Sequence, residues 1–412
     1  MPISSRRLAN DLAAIAAATE TPGQGATRPT FTDAWAQAVA YVVEAACKCG
    51  CTVRRDAAGN VHLRPSVHQQ ASSVWLSGSH LDTVPHGGDF DGVVGVLVPL
   101  EVLRAAQEDG RPAPLLEVII FAEEEGTTFG LGMIGSRAWV GTLGGEQLGQ
   151  LRNAAGQSYL EAGARHGVRP NYLAEDRIDA THYRGFIEVH VEQGPTMWKR
   201  NELVALVTAI AGRRQCQVEV RGTANHAGST KMADRRDALA AAAEMIAAVE
   251  AVPAALDPDA VATVGRIECR PNAINVIAEH VHFTIDLRAA TDEVLERGDA
   301  AVRAQLAAIA LKRGVDVSIE QSEAINATKL SPNVCRRLRE AADSLGDPLP
   351  ETVSGALHDA AILAPFIPTA MLFVQSCDGI SHNPDEYSST NDIALAVHIL
   401  YTAISSGEGE VA

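Results

Sequence analysis

Short apolar runs that end in histidine or acidic side chains are the feature that most constrains the fold of this chain. Residues 74–76 read as a buried strand and lead through glycine into His80. The run 115–122 ends in Glu123-Glu124-Glu125, and the run 186–191 contains a further histidine. Continuous apolar runs of this length are typical of central strands in a parallel sheet. Because helical patterns separate them, the chain is predicted to form an α/β fold.

A change of pattern near Gly212 indicates a second domain. The chain has 412 residues, too many for one ordinary core. From residue 213 to 321 the predicted elements follow the order β-α-β-β-α-β, that of a small α+β sandwich of the ferredoxin-like type. The α/β pattern then returns. We therefore predict a catalytic domain formed by residues 1–211 and 326–412, with residues 212–325 inserted in it.

The charge and the apolar pattern exclude several classes of partner. The formal net charge is −17, which argues against binding to nucleic acid or to an anionic membrane. No apolar run reaches the length of a membrane span, and the first ten residues do not resemble a signal peptide. We expect a cytoplasmic protein.

Five side chains that commonly bind metals lie at or near predicted strand ends. In an α/β sheet the loops at the carboxyl ends of the strands converge on one crevice. Imidazoles and carboxylates together suit zinc, cobalt, nickel or manganese. The five are His80, Asp91, Glu125, His190 and His382. Any one of these histidines alone would more often be an ordinary surface or core residue, so the prediction depends on the set.

The acids near these ligands are predicted to have different roles. Asp91 precedes Gly92 and could approach two ions about 3.5–4 Å apart closely enough to bridge them. Asp82 follows His80 by two residues and could orient its imidazole. Glu124, next to a ligand but not itself one, is suited to take a proton from water activated by the metal and pass it to the leaving nitrogen. Glu123 is predicted to be a solvated acid.

Six motifs in order resemble those of the metal-dependent amidohydrolases of the M20 peptidase-like superfamily. They are Gly78-Ser-His-Leu-Asp-Thr-Val, Asp89-Phe-Asp-Gly-Val-Val-Gly-Val-Leu, Glu124-Glu-Gly-Thr-Thr-Phe, Glu188-Val-His-Val-Glu-Gln-Gly-Pro, Asn225-His-Ala-Gly-Ser-Thr and Gly379-Ile-Ser-His-Asn-Pro-Asp-Glu-Tyr-Ser. The branch that the chain most resembles contains the N-carbamoyl-L-amino-acid hydrolases and the allantoate amidohydrolases. The resemblance covers essentially the whole chain.

The resemblance implies a metal-dependent exopeptidase-like catalytic domain with two divalent ions per subunit. His80 and His190 would hold one ion. Glu125 and His382 would hold the other, and Asp91 would lie between the two. The base would be the neighbouring Glu124.

The resemblance also implies that the inserted domain is a lid that forms a homodimer interface. His226 would reach the site of the partner subunit and polarise the scissile carbonyl. Asn275 and Arg288 would bind the substrate, the arginine through the substrate carboxylate. Gln193 and Gln215 would add polar contacts.

Some positions leave alternatives open. Judged from the residues alone, Arg288 could simply be a solubilising side chain and Asn275 could cap a turn. The chain also departs from the pattern of the branch at Thr128, Lys231 and Leu357, where arginine, proline and glycine are usual. These departures would reshape the substrate pocket and leave the metal ligands intact.

The sequence therefore predicts a hydrolase of linear C–N bonds other than peptide bonds, acting on the carbamoyl or ureido group of a small carboxylate. One alternative is a dipeptidase or an N-acyl-amino-acid deacylase. Another is a catalytically inactive homologue that binds small molecules. An intact Glu124 beside the ligand set argues against the inactive homologue, since a binding protein has no use for a base there.

Overall fold

The computed structural model describes residues 2–406, which form two compact units. The first unit comprises the chain up to Thr208, Leu330–Thr352 and the chain from His358 onward. The second unit comprises Ala209–Lys329 and Val353–Leu357. The sequence pattern assigns this last short segment to the catalytic domain. Within residues 2–406 no helix is long and apolar enough to cross a membrane.

The strands and helices are numbered here in chain order. The strands are β1 Cys51–Arg55, β2 Val61–Pro65, β3 Val74–His80, β4 Leu116–Phe121, β5 Tyr183–Val191, β6 Val204–Ile210, β7 Gly212–Arg221, β8 Val261–Thr263, β9 Ile267–Arg270, β10 His280–Ala289, β11 Asp316–Ile325, β12 Thr328–Lys329, β13 Glu351–Ser354 and β14 Thr369–Val374. The helices are α1 Ser5–Ala16, α2 Asp33–Lys48, α3 Val93–Glu108, α4 Ile134–Val140, α5 Gly145–Gln150, α6 Tyr159–Gly163, α7 Thr196–Arg200, α8 Ala238–Ala254, α9 Asp292–Arg313, α10 Pro332–Leu345, α11 Asp359–Leu363 and α12 Thr390–Ser405.

The first unit is built on a mixed sheet with the spatial order β1-β2-β4-β3-β5-β14-β6, and β13 pairs with β6. Strands β4, β3, β5 and β14 run parallel to one another, and the outer pairs are antiparallel. Every residue of β3, β4 and β14 is buried, the polar ones included, as is typical of strands covered on both faces.

Helix α3 follows the turn at Asp91 and is buried along nearly its whole length. It continues through Pro99, and its hydrophobic residues pack against β3, β4 and β5. Gly92 caps the helix with a backbone φ of +66°. A Cβ at this position would lie 2.5 Å from the ring of His80, so only glycine allows the loop to pass so close to that imidazole.

The second unit has an antiparallel sheet in the order β11-β7-β10-β8, with β9 also paired to β10. With β8 and β9 counted as one interrupted strand, this is the ferredoxin-like order that the sequence predicts. Strands β7 and β10 alternate buried and half-buried residues along their length. Their buried faces include Val218 and Phe283, which belong to one core with Met245 of α8 and Leu306 of α9.

Candidate metal centre

The candidate ligands gather at the carboxyl ends of the four parallel strands. His80 is the last residue of β3, and His190 is the penultimate residue of β5. Glu125 lies in the loop after β4, and His382 lies in the loop after β14. Because adjacent parallel strands end at the same edge of a sheet, segments far apart in sequence meet there.

These side chains form two groups that share one carboxylate. Ligand atoms of His80, Asp91 and His190 lie within 4.8 Å of one another, and so do those of Asp91, Glu125 and His382. One carboxylate oxygen of Asp91, Oδ1, is 3.1 Å from Nε2 of His190, and the other, Oδ2, is 3.1 Å from Nε2 of His382. The structure thus brings all five residues together and places Asp91 between the two groups.

The two histidines on strands present the same nitrogen to the centre. Nδ1 of His80 lies 2.9 Å from the backbone carbonyl oxygen of Asp82, and Nδ1 of His190 lies 3.0 Å from that of Val191. A carbonyl oxygen can only accept, so each Nδ1 carries the proton and each Nε2 keeps a lone pair. This is the tautomer that an imidazole needs in order to bind a metal through Nε2.

Asp82 contacts the imidazole of His80 through its backbone oxygen and the loop of Glu125 through its carboxylate. Its carboxylate oxygen Oδ1 is 3.7 Å from Nδ1 of His80, which is longer than a hydrogen bond. The other oxygen, Oδ2, accepts a hydrogen bond of 3.1 Å from the backbone N–H of Glu125. Asp82 therefore connects the segment that carries His80 to the loop that carries Glu125.

Burial and crowding of charge shift the ionisation of these groups. Burial and the charge of Asp91 raise the pKa of the Glu125 carboxyl to about 7. Burial also opposes ionisation of Asp91, but the charge and hydrogen bond of His190 hold the pKa of that carboxyl well below its usual range. The hydrogen bond to Asp91 raises the pKa of His382 to about 9.

The donor set fits divalent cations. It combines imidazole nitrogens and carboxylate oxygens, the ligands that zinc and its neighbours among the transition metals accept. Among the described residues, Oε1 of Glu125 and Oε1 of Gln193 are buried without a hydrogen-bond partner. Buried polar atoms rarely lack partners, so unpaired oxygens beside a cluster of ligands indicate room for an ion.

Gln193 lies among the ligands. Its side-chain Nε2 donates a 2.7 Å hydrogen bond to Oδ2 of Asp91 and lies 3.2 Å from Nε2 of His382. Its backbone φ is +58°, in the left-handed region that few non-glycine residues adopt. The structure therefore brings this predicted substrate contact directly to the carboxylate shared by the two ligand groups.

Glu124 is close to the ligands but belongs to neither group. Its carboxylate oxygen Oε2 lies 3.7 Å from Nε2 of His80, and its side chain is only 10% exposed. Burial raises the pKa of this carboxyl well above its usual value, and the charge of Glu125 raises it further. A buried carboxyl group with a raised pKa that lies beside the ligand groups but outside both is suited to accept and return a proton.

The prediction for Glu123 is wrong. This residue is fully buried, with a backbone φ of +58°. Its Oε1 accepts hydrogen bonds of 2.8 Å from the backbone N–H groups of Thr128 and Phe129. The carboxylate therefore stabilises the turn after β4 from inside, where the sequence shows only a run of three acids.

In the second unit, Gln215 and Arg288 meet around an acid that the sequence prediction did not single out. Nε of Arg288 donates to Oδ1 of Asp286 at 2.9 Å, and its Nη1 donates to the backbone oxygen of Gly355 at 2.9 Å. Nε2 of Gln215 donates to Oδ2 of Asp286 at 2.8 Å. These four residues line one cavity in this unit. Nη2 of Arg288 also donates to Oδ2 of Asp286 at 3.3 Å, so three of the five N–H donors of the guanidinium are used and one N–H on each of Nη1 and Nη2 is left for a ligand.

His226 and Asn275 also lie together in the second unit. An isolated antiparallel bridge joins His226 to Val276, and the backbone N–H of Ala227 donates to the backbone oxygen of Asn275 at 3.0 Å. Nδ1 of His226 accepts from the N–H groups of Gly228 and Ser229. The neutral ring therefore carries its proton on Nε2, where it can donate to a carbonyl oxygen.

The sequence prediction gave no role to two buried residues next to His190. The ring of His358 lies 4.5 Å from that of His190, and burial lowers the pKa of His358 well below its usual value. The buried carboxylate of Glu188 accepts from the hydroxyl of Ser79 at 2.8 Å and from the backbone N–H of Ala360 at 2.9 Å. The period-two spacing of Glu188 and His190 could have placed both on one face of β5.

Comparison with known proteins identifies the family. Residues 76–406 match the model of peptidase family M20/M25/M40. The chain belongs to this family. The resemblance stated from the sequence motifs, and the M20-type catalytic domain with an insert that it implies, are therefore confirmed. The family is metal-dependent, in agreement with the two ligand groups.

Several relatives are similar over the whole chain. The N-carbamoyl-L-amino acid amidohydrolase of Geobacillus stearothermophilus is 37% identical over 406 residues, 98% of each chain. The allantoate amidohydrolase of Bacillus subtilis is 34% identical over 381 residues, 91% of each chain. The crystal structure of an amidase of the hydantoinase/carbamoylase family from Burkholderia multivorans has a TM-score of 0.91 at 34% identity, covering 98% of this chain and 97% of that one. The predicted class, a hydrolase of C–N bonds other than peptide bonds, is the class of these named relatives.

Proposed function

We propose that this chain is a two-metal amidohydrolase that cleaves the carbamoyl or ureido C–N bond of a small carboxylate. N-carbamoyl-L-amino acids and allantoate are the two substrates to test first. The observation that carries the proposal is the pair of ligand groups that share Asp91, with the carboxylate of Glu124 beside them but in neither group. The named relatives act on substrates of this kind.

Five residues would bind the two ions, and a sixth, Glu124, would transfer the proton. His80 and His190 would hold one ion, Glu125 and His382 the other, with Asp91 shared between them. Divalent cations in such sites polarise a carbonyl oxygen and make water more acidic. Glu124 accepts a proton on its carboxylate as water attacks and returns it to the nitrogen that leaves. Zinc, manganese, cobalt and nickel all suit this donor set.

The substrate would be bound by residues of the second unit and by Gln193 of the first. The outer edge of Arg288 would grip the substrate carboxylate through two parallel hydrogen bonds. Asn275, Gln193 and Gln215 would contribute polar contacts. His226 would donate from Nε2 to the scissile carbonyl oxygen, a role suited to its ring orientation.

The proposal also includes a homodimer, formed through the inserted domain acting as a lid, in which His226 serves the site of the partner subunit. A cytoplasmic location is part of the same proposal. The dimer follows from the resemblance of the His226 loop and of the insert to the same branch of the family, and the location follows from the charge and apolar pattern of the sequence.

The substrate within this class depends on positions where the chain departs from the branch. Thr128 replaces the usual arginine, and its hydroxyl oxygen accepts a 3.1 Å hydrogen bond from the backbone N–H of Thr30. The side chain thus connects this loop to the segment before α2, and position 128 carries no cation. Leu357 and Lys231 are the other two departures. We therefore expect a substrate preference that differs from that of relatives with arginine at position 128.

The test is release of ammonia from N-carbamoyl-L-amino acids and from allantoate by the purified protein. We expect turnover with added divalent metal and its loss after treatment with a chelator, with recovery when metal is restored. Dipeptides and N-acetyl amino acids form the comparison series. Hydrolysis of those compounds in preference to ureido compounds would favour a dipeptidase or deacylase. No hydrolysis of any compound, with metal bound, would favour the inactive binding homologue.

A further inference from the structure

A buried glutamate follows His382 on the same loop. Glu386 is 5% exposed, and its backbone N–H donates to the carbonyl oxygen of Asn383 at 3.0 Å, which closes a turn directly after the histidine. Its carboxylate is not a member of either ligand group. A buried carboxylate is costly unless hydrogen bonds satisfy it, so its partners indicate what it does.

The partners belong to the two loops that carry Asp91 and His382. Oε2 of Glu386 accepts hydrogen bonds from the backbone N–H groups of Phe90 and Asp91, at 2.9 and 3.0 Å. Oε1 accepts from the hydroxyl of Ser381 at 2.6 Å. Charge-assisted hydrogen bonds of this type are about twice as strong as neutral ones. One side chain therefore connects segments nearly 300 residues apart in sequence.

The sequence of the first loop is adapted to this side chain. A Cβ added at Gly88 would lie 2.2 Å from Oε2 and 2.4 Å from Cβ of Glu386. No side chain other than hydrogen fits there while Glu386 keeps its position. Gly88 does not have a positive φ, so the close approach of Glu386 is what excludes a larger residue.

We propose that Glu386 is a positioning residue that holds Asp91 and His382 in the geometry needed by the group Asp91, Glu125 and His382. This inference rests on the proposed function, because it takes these side chains to be metal ligands. His80 and His190 lie on buried strands whose positions the sheet fixes, whereas Asp91 and His382 lie on loops. Loss of Glu386 is therefore expected to weaken binding of the ion held by Asp91, Glu125 and His382 more than binding of the ion held by His80, Asp91 and His190.

The experiment measures Zn²⁺ binding to the full-length protein after removal of metal. We expect wild type to bind two ions per chain. In Glu386→Ala, affinity for one of the two should fall about 10- to 100-fold, the usual effect of losing a group that orients a ligand. The other site, formed by His80, His190 and the shared Asp91, should lose clearly less affinity, because its two histidines lie on strands and keep their hydrogen bonds. Metal content by mass spectrometry after dialysis gives a second readout that does not depend on turnover.

Two further variants separate positioning from a general effect on folding. Glu386→Gln keeps an oxygen that can accept from both backbone N–H groups, and it should retain most of the affinity that Glu386→Ala loses. Gly88→Ala should force Glu386 out of position and reproduce the selective loss. If Glu386→Ala does not fold, Gly88→Ala is the variant that tests whether Glu386 positions the two loops.

The matched controls lie away from both loops. Glu101→Ala removes another fully buried carboxylate, one that accepts from Arg7 and from the backbone N–H of Ser4. Gly265→Ala adds a methyl group where no heavy atom lies within 4 Å. Both variants should bind two ions with the affinity of wild type.

The outcomes are distinct. Unchanged Zn²⁺ affinity in Glu386→Ala, an equal loss at both sites, or a Gln variant as weak as the Ala variant would each overturn the positioning role. In those cases the proposed hydrolase would still stand. Failure of wild type to bind Zn²⁺ or Mn²⁺ would overturn the proposed metal centre and the inference with it.

Discussion

Glu124 differs from its two neighbours in what its carboxylate contacts. The carboxylate of Glu123 is bonded to the backbone of its own turn, and that of Glu125 lies in a ligand group. Glu124 lies 3.7 Å from His80 with a pKa raised by burial. Three consecutive acids thus have three different environments, because the turn after β4 directs each side chain a different way.

Substitution of Glu124 tests its role as the base. Glu124→Gln keeps the shape of the side chain but cannot accept the proton, so kcat should fall by at least about 100-fold. Metal content should stay that of wild type. Glu125→Gln is the variant to compare with it. Because Glu125 belongs to a ligand group, this variant should lose both activity and bound metal. A Glu124→Gln enzyme with full turnover would remove the base assignment.

At the scale of secondary-structure elements, a buried charged cluster connects the β1–β2 hairpin to β4. Nδ1 of His62 lies 2.8 Å from Oε1 of Glu117, and its Nε2 lies 3.2 Å from Oδ2 of Asp56. Tyr183 donates to Glu117 from β5 at 2.9 Å, and Nε of Arg64 also contacts it. Burial opposes charge in this cluster, but the mutual contacts raise the pKa of His62 and lower the pKa of Glu117 to about 2.

This cluster predicts a particular dependence of stability on pH. The folded pKa of Glu117 lies below its unfolded value of 4.5, so its contribution is full above pH 4.5 and is lost as the pH falls toward 2. The folded pKa of His62 lies above its unfolded value of 6.5, so its contribution is full below pH 6.5 and is lost as the pH rises through the folded pKa. Between pH 4.5 and pH 6.5 both residues therefore make their full contribution to the stability of the fold.

The measurement is the thermal midpoint of wild type and of Glu117→Gln across pH. Removal of one partner from a buried pair costs about 3–5 kcal/mol, so the variant should melt several degrees lower near pH 6. The difference should shrink as the pH falls below 4.5. Glu340→Gln, which removes an exposed i,i+4 partner of Arg336, should change little. A difference between wild type and Glu117→Gln that is independent of pH would contradict the depressed pKa.

The pairing of β7 with β10 determines the environment of Arg288. Their register places Asp286 opposite Gln215, and the aspartate takes one edge of the guanidinium. These bonds hold the guanidinium of Arg288 in one orientation. Binding of a substrate carboxylate would therefore cost less side-chain entropy than binding to a free arginine side chain.

Arg288→Ala should mainly raise the KM for carboxylate substrates. Loss of a charge-assisted contact of this kind corresponds to about 1.5–3 kcal/mol, or roughly 10- to 150-fold. The matched control is Arg266→Ala, since Arg266 is an exposed arginine of the same unit, paired with Glu268. Steady-state kinetics with an N-carbamoyl amino acid and with its carboxamide should show the effect only for the carboxylate. An unchanged KM would exclude Arg288 from the binding site.

At the scale of the whole molecule, the proposed dimer predicts complementation between inactive variants. Glu124→Gln and His226→Ala should each be nearly inactive alone. If His226 serves the partner subunit, a mixed dimer contains one site with both residues intact, and mixing the two unfolded and refolded proteins should restore part of the activity. Size-exclusion chromatography checks the oligomeric state. Absence of complementation by mixed dimers, or a fully active monomer, would argue against this arrangement.

The sequence by itself determined the α/β catalytic domain, the α+β insert and the five candidate ligands. It could do so because each depends on local patterns: apolar runs of strand length, helical spacing, and histidine or acid placed where a strand ends. The family motifs contain the same residues, which is why resemblance and physical reasoning agree at His80, Asp91 and His190.

Only the tertiary structure decided what the remaining polar groups do. The burial of Glu123, the packing of His358 on His190, the pairing of Asp286 with Arg288 and the contacts of Glu386 are not visible in the sequence pattern. Most of these depend on residues that are distant in the chain. Whether an acid is solvated, binds a metal or holds a loop depends on which donors folding brings within about 3 Å of it, and no local pattern contains that information.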